Sequence, residues 1–158
     1  MATVLFCTDG SELARKAIDR ARVLLRPADR VVLVNVTSGV DPSLVTGTGM
    51  AAGVMSLDER ESLIDIQRSE SATMLTELVA DLELVGSLET GGDREVETEV
   101  RIGDAGRQIV DLAAELPADV VVLGTSGHGG FRRAVLGSVS DHVVRHSPCP
   151  VLVASHAE

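Results

Sequence analysis

The sequence predicts an α/β fold, a doubly wound parallel sheet with helices on both faces. Three observations carry this reading. Short apolar runs alternate with helix-length segments along all 158 residues. The runs Val31 to Val36 and Val120 to Leu123 show almost no polar alternation, as strands buried on both faces do. The stretch Ala118 to Ala154 reads as strand, glycine loop, helix and strand, one βαβ unit.

Each element has its own signals. Thr3 to Cys7 is a buried strand that ends in Thr8-Asp9-Gly10-Ser11. Ser11 suits an N-cap, and Glu12 falls in the first turn, where a carboxylate is favoured. Leu13, Ala17, Ala21 and Leu24 mark one face of the helix that follows, which Arg26-Pro27 ends. Val31 to Val36 is the second strand. Gly39 to about Leu57 has no clear period and reads as a surface loop, or as a mobile cover over a site. Its Gly47-Thr48-Gly49 is not a dinucleotide fingerprint, because the next glycine is Gly53 rather than residue 52.

A long amphipathic helix is expected from about Leu57 to Leu84, opened by Asp58, Glu59 and Glu61. Leu63, Ile66, Met74, Leu75, Leu78, Leu82 and Val85 form its expected buried stripe. Gly86 to Asp93 is a turn-rich connection. Glu95 to Ile102 alternates polar and apolar residues, which predicts a strand at a sheet edge. Gly103-Asp104 turns the chain, and Ala105 to about Leu116 is a helix stopped by Pro117. The fourth strand, a helix opening near Gly137-Ser138, and the last strand from Pro150 to Ala154 complete the chain.

The length suits a single domain, residues 1–158, with a sizeable core. The formal net charge of −10 disfavours nonspecific binding to nucleic acid and to anionic membranes. With no Trp or Tyr and two Phe, a stacking platform for single strands is not expected. Cys7 and Cys149 form no Cys-x-x-Cys pair and read as small buried hydrophobes in a reducing compartment. No basic region precedes the first apolar run, and no run approaches a membrane span, so a cytoplasmic location is expected.

The loop after Val120–Leu123 carries the chemistry. Gly124, Gly127, Gly129 and Gly130 allow close backbone approach and positive φ. Consecutive N–H groups in such a turn make an anion-binding concavity, to which a helix N-terminus adds donors and a positive dipole end. Ser138 either caps that helix or donates its hydroxyl to a phosphate oxygen. The expected ligand is a polyphosphate. Two residues separate Gly124 from Gly127, nine separate Gly127 from Gly137, and Ser138 follows at once.

That spacing resembles the fingerprint of the universal stress proteins in their nucleotide-binding branch. Ser147-Pro148-Cys149-Pro150-Val151 is similar to the family's entry into its last strand, and Val4 to Ser11 to its first strand and Asp-Gly-Ser turn. The resemblance spans nearly the whole chain; Gly39 to about Arg60 matches poorly, and Ser87 to Glu95 is longer than usual. It implies a Rossmann-like five-stranded parallel sheet in the order 3-2-1-4-5. The winding would then reverse between strands one and four, bringing Asp9 and Gly124 to one crevice. It also implies ATP, with Mg2+, as the ligand. The binding residues it implies are Cys7, Thr8, Asp9, Val36, Gly124, Thr125, Gly127, His128, Gly129, Gly130, Arg132, Gly137, Ser138, Val139 and Ser140. Asp9 would serve the nucleoside and Val36 would offer backbone groups to adenine.

Several side chains admit plainer readings. Arg132 and Arg133 suit phosphate contacts or simple surface charge. Ser126 fails as a nucleophile elbow because His128 stands where glycine is required. His142 and His146 lie one helical turn apart, but without a third ligand they read as two helix residues. The long helix's acidic residues form a solvated face, and a Walker A motif is absent. The expected role is stress-response binding or signalling, with at most slow ATP hydrolysis or autophosphorylation. The alternatives are an adenine-nucleotide α-hydrolase-like enzyme and a nucleotide-free interaction module. The final strand, apolar and without internal charge, would lie at an edge and pair with its copy in a homodimer, which the resemblance also implies.

Overall fold

The computed structural model describes residues 2–25, 28–39, 56–82, 96–124 and 136–154. Residues 40–55 of the expected loop, the whole of the expected connection Gly86 to Asp93, and Val85 lie outside them. Among the described residues, five strands, β1 (Thr3–Thr8), β2 (Arg30–Thr37), β3 (Val96–Ile102), β4 (Val120–Gly124) and β5 (Val151–Ala154), alternate with four helices. These are α1 (Glu12–Leu24), α2 (Leu57–Leu82), α3 (Ala105–Glu115) and α4 (Ser138–His146). All ladders are parallel and the order is β3-β2-β1-β4-β5, as the resemblance implied.

Two cores lie on the two faces of this sheet, and the period of two along each strand sorts residues between them. Val4, Phe6, Val31 and Leu33 pack with Ile18 and Ala21 of α1 and with Leu75, Leu78 and Leu82 of α2. Leu5, Cys7, Val32, Val34, Val121 and Leu123 pack with Ile109 and Leu112 of α3 and Val143 of α4. The three central strands have buried side chains on both sides, which explains why their sequences do not alternate.

Local capping follows the sequence closely. The Ser11 side chain accepts from Ala14 N at 3.1 Å and opens α1. Asp104 does the same for α3 through Arg107 N at 2.9 Å. A capping box unnoticed in the sequence opens α2. Glu59 N donates to Ser56 Oγ at 3.2 Å, and Glu59 Oε2 accepts from Ser56 N at 2.8 Å. Ser56 thereby holds the Glu59 carboxyl below the usual carboxylate range.

Two expected faces shift. On α1 the buried residues are Ala14, Ala17, Ile18 and Ala21, whereas Leu13 is half-buried and Leu24 is 75% exposed. Alanines let this helix approach the sheet closely, so the small side chains rather than the leucines face inward. On α2 the stripe begins only at Ser71. Leu63 and Ile66 are exposed, and no residue of 57–70 is buried. The crossover from β2 to β3 requires α2 to end near the start of β3. Its first half keeps only half-buried residues in step with Ser71, Leu75, Leu78 and Leu82, namely Arg60, Ile64 and Gln67, and Leu63 and Ile66 lie off that face.

Leu33 is fully buried at the centre of β2. Leu33→Ala is expected to destabilise the fold by about 2–5 kcal/mol, read as a lower urea midpoint with an unchanged m-value.

Candidate functional site

A crevice forms where strands that share a sheet part company. β1 stays paired with β2 as far as Thr8↔Asn35, and β4 with β5 as far as Gly124↔Ala154. Between β1 and β4 the ladder runs only from Val4↔Val120 to Phe6↔Val122. Past that pair the two strands are each held by their outer neighbour. The opening lies at the carboxyl ends, where the winding reverses and where sheets of this kind bind ligands.

One wall is the turn after β1. Gly10 N donates to Thr8 Oγ1 at 3.1 Å, and Ser11 N donates to Asp9 Oδ1 at 2.9 Å. Gly10 has φ +78, which glycine adopts without strain, and a Cβ there would stand 3.3 Å from Met74 Sδ of α2. The Thr8 carbonyl accepts from Asn35 Nδ2 at 2.8 Å. Asp9 is half-buried at the rim of the crevice.

The other wall starts at Gly124, the last residue of β4, and resumes at the opening of α4. Gly137 is the N-cap, with no side-chain hydrogen bond to the first turn. Ser138 is thus the first helical residue and not the cap; one of its two expected roles is withdrawn. N–H groups at a helix start have no intrahelical acceptor and point along the positive dipole end, and here that applies to Ser138 and Val139, both exposed. Ser140 is buried, and its Oγ donates to the Gly137 carbonyl at 3.0 Å. The Asp141 carboxylate in the same turn is bound by Arg145 Nε at 2.9 Å.

The remaining expected residues divide. The Cys7 side chain lies in the core between the sheet and α3 and α4, so only its backbone can serve the crevice. Burial, with a smaller contribution from Cys149, pushes its thiol far above the ordinary value and keeps it protonated. Val36 packs its side chain against the same core, again leaving backbone groups. Thr125, Gly127, His128, Gly129, Gly130 and Arg132 lie outside the described residues, as do Ser126 and Arg133. His142 and His146 stack with ring centroids 4.3 Å apart, and the His142 ring fits against Gly106 of α3, where a Cβ would come within 2.8 Å. Among the described residues no three His, Cys, Asp or Glu side chains converge to hold a metal, and no helix is long and apolar enough to cross a membrane. The residue the sequence reading missed is Asn35. Its signal was available, a lone amide within the apolar run Val31 to Val36.

Comparison with known proteins agrees with this architecture. A model described as the universal stress protein family matches residues 1–155. Universal stress protein Sll1388 of Synechocystis is 32% identical over 160 residues, spanning 97% of each chain. The solved structure of hypothetical protein MJ0577 superposes with a TM-score of 0.76 at 23% identity, over 99% of this chain and 97% of that one. A universal stress protein solved in complex with cAMP superposes with a TM-score of 0.62 at 22% identity, over 98% and 96%.

The placement of Cys7 has a direct chemical consequence. In native protein at pH 8, a disulfide reagent such as DTNB is expected to leave Cys7 unmodified and to react only with the half-buried Cys149. Mass spectrometry of the labelled peptides checks this, and prompt labelling of Cys7 would contradict its burial.

Proposed function

The chain belongs to the universal stress protein family, and on that premise we propose that it binds an adenine nucleotide, ATP in preference, as a cytoplasmic stress-response binding or signalling protein. The observation that supports this is the end of the β1–β4 ladder at Phe6↔Val122, before the strand ends that lead into Asp9 and Gly124. The two walls of the crevice fit the two ends of a nucleotide. The uncapped N-terminus of α4, with Gly124 and the glycines of the Gly124–Gly137 spacing, offers backbone donors to phosphates. Asp9 accepts hydrogen bonds from the nucleoside, and Val36 at the end of β2 presents backbone groups to the base. Mg2+, which would offset phosphate charge, arrives with the triphosphate on this reading, since no carboxylate cluster among the described residues prepares a site for it. One of the similar solved structures is a complex with cAMP, an adenine nucleotide, which supports the ligand class.

We further infer a homodimer through β5. This strand is at the edge of the sheet, all four of its side chains are only partly buried, and it carries no charge. Val139 and Val144 of α4 are exposed as well. Antiparallel pairing of β5 with its copy satisfies the open edge and is self-complementary under two-fold symmetry.

Isothermal titration with ATP tests the site. Gly127→Val and Gly137→Val are expected to abolish binding while circular dichroism shows an intact fold, because the added side chain takes the space of the phosphates. Asp9→Ala is expected to weaken binding by roughly 1.5–3 kcal/mol. Unchanged affinity in both folded glycine variants would rule the site out. Light scattering tests the assembly: wild type should be dimeric at micromolar concentration with or without ATP, and Leu152→Lys should give monomer or aggregate. A monomeric wild type, or a variant that stays dimeric, would overturn the pairing.

A further inference from the structure

We infer that Asn35 is a positioning residue, which orients the Asp9 carboxylate for its ligand; the inference rests on the proposed nucleoside role of Asp9. Asn35 stands in β2 among Val31, Val32, Leu33, Val34 and Val36, and it is buried, with 6% of the residue exposed. Amides are poor strand formers and costly to bury, so the fold gains nothing from an amide here unless it is paired. Its Nδ2–H donates to the carbonyl oxygen of Thr8, its register partner on β1, at 2.8 Å.

That carbonyl belongs to the peptide group whose nitrogen is Asp9's. Because the peptide is planar, fixing the Thr8 oxygen fixes the plane from which Asp9 departs. The hold continues on both sides of the same bond. Thr8 Oγ1 accepts from Gly10 N, Asp9 Oδ1 accepts from Ser11 N, and Ser11 Oγ accepts from Ala14 N and starts α1. Met74 of α2 lies over Gly10, where an added Cβ would stand 3.3 Å from its Sδ. The place where this chain is anchored is also where β1 loses its partner β4. Across the sheet the strand end is thus held from the β2 side only, where the Asn35 amide adds a side-chain bond to the ladder. A buried anchor of this kind is strong because no water competes for it.

Asn35→Leu removes the donor and leaves the Thr8 oxygen buried without it. Asn35→His restores a donor, since its Nδ1–H occupies the position of the amide N–H. ATP titration is carried out at a temperature where every variant is folded by circular dichroism. Asn35→Leu should weaken ATP binding about tenfold, and Asn35→His should recover most of the loss. In an Asp9→Ala background Asn35→Leu should cost no further affinity, because the two changes act through one group. A merely structural asparagine would lower the melting temperature yet leave affinity unchanged, or would weaken binding equally in both backgrounds; either result overturns the inference. Should Asp9→Ala bind ATP like wild type, or wild type not bind it, the nucleoside role of Asp9 falls and the inference with it. A loss for Asp9→Ala alone refutes Asn35 and spares the site.

Discussion

The reversal of winding at β1 is the constraint on which the rest depends. The chain leaves β1, builds outward through β2 to β3, then must return across the sheet to add β4 on the other side. Right-handed crossovers then put α1 and α2 over one face and α3 and α4 over the other. The two helices that begin beside the central gap, α1 and α4, therefore start on opposite faces. The gap between β1 and β4 is a consequence of topology rather than of any side chain. The side chains around it serve to keep its walls in place.

Much of this was legible in the sequence, for identifiable reasons. Buried parallel strands are written as unbroken apolar runs, so β1, β2 and β4 were plain in Thr3 to Cys7, Val31 to Val36 and Val120 to Leu123. Alternation between Glu95 and Ile102 marked β3 as an edge, and the sheet order puts it there. Strand order itself is not a local property, and it came only through the resemblance to a family. The faces of α1 and α2 were misjudged because the apolar residues span a wider arc than the sheet covers, and the buried set lies to one side of Leu13 and Leu24 on α1 and of Leu63 and Ile66 on α2. At about 100° per residue, Leu63 and Ile66 fall off the face that Ser71, Leu75, Leu78 and Leu82 share, and Ile66 lies about half a turn from Leu75, so both are exposed.

The site divides in the same way. The Asp9-Gly10-Ser11 turn announced a cap, and Ser11 caps α1; residues 125–135 of the glycine loop lie outside the described residues. What the sequence concealed was rank within the buried set. Cys7 and Val36 are neighbours of the crevice in sequence, but strand alternation turns both side chains toward the α3 and α4 core. Asn35 looked like an impurity in an apolar run and proved to be bonded to the strand end that matters.

The two borders of the sheet differ in chemistry. Along β3 the Arg30 guanidinium grips Glu97 through two hydrogen bonds of 2.6 and 2.7 Å, and Arg101 binds Glu99 and Glu115. The Arg30 contact also holds the Glu97 carboxyl below its usual range. Charged side chains at a border deter an incoming strand, whereas the uncharged β5 invites one. A sheet with one receptive and one guarded border can be extended once and then presents only guarded borders outward. Association through β5 would therefore terminate itself, because stacking of copies without limit into fibres would have to pass the three charged residues of β3, Glu97, Glu99 and Arg101.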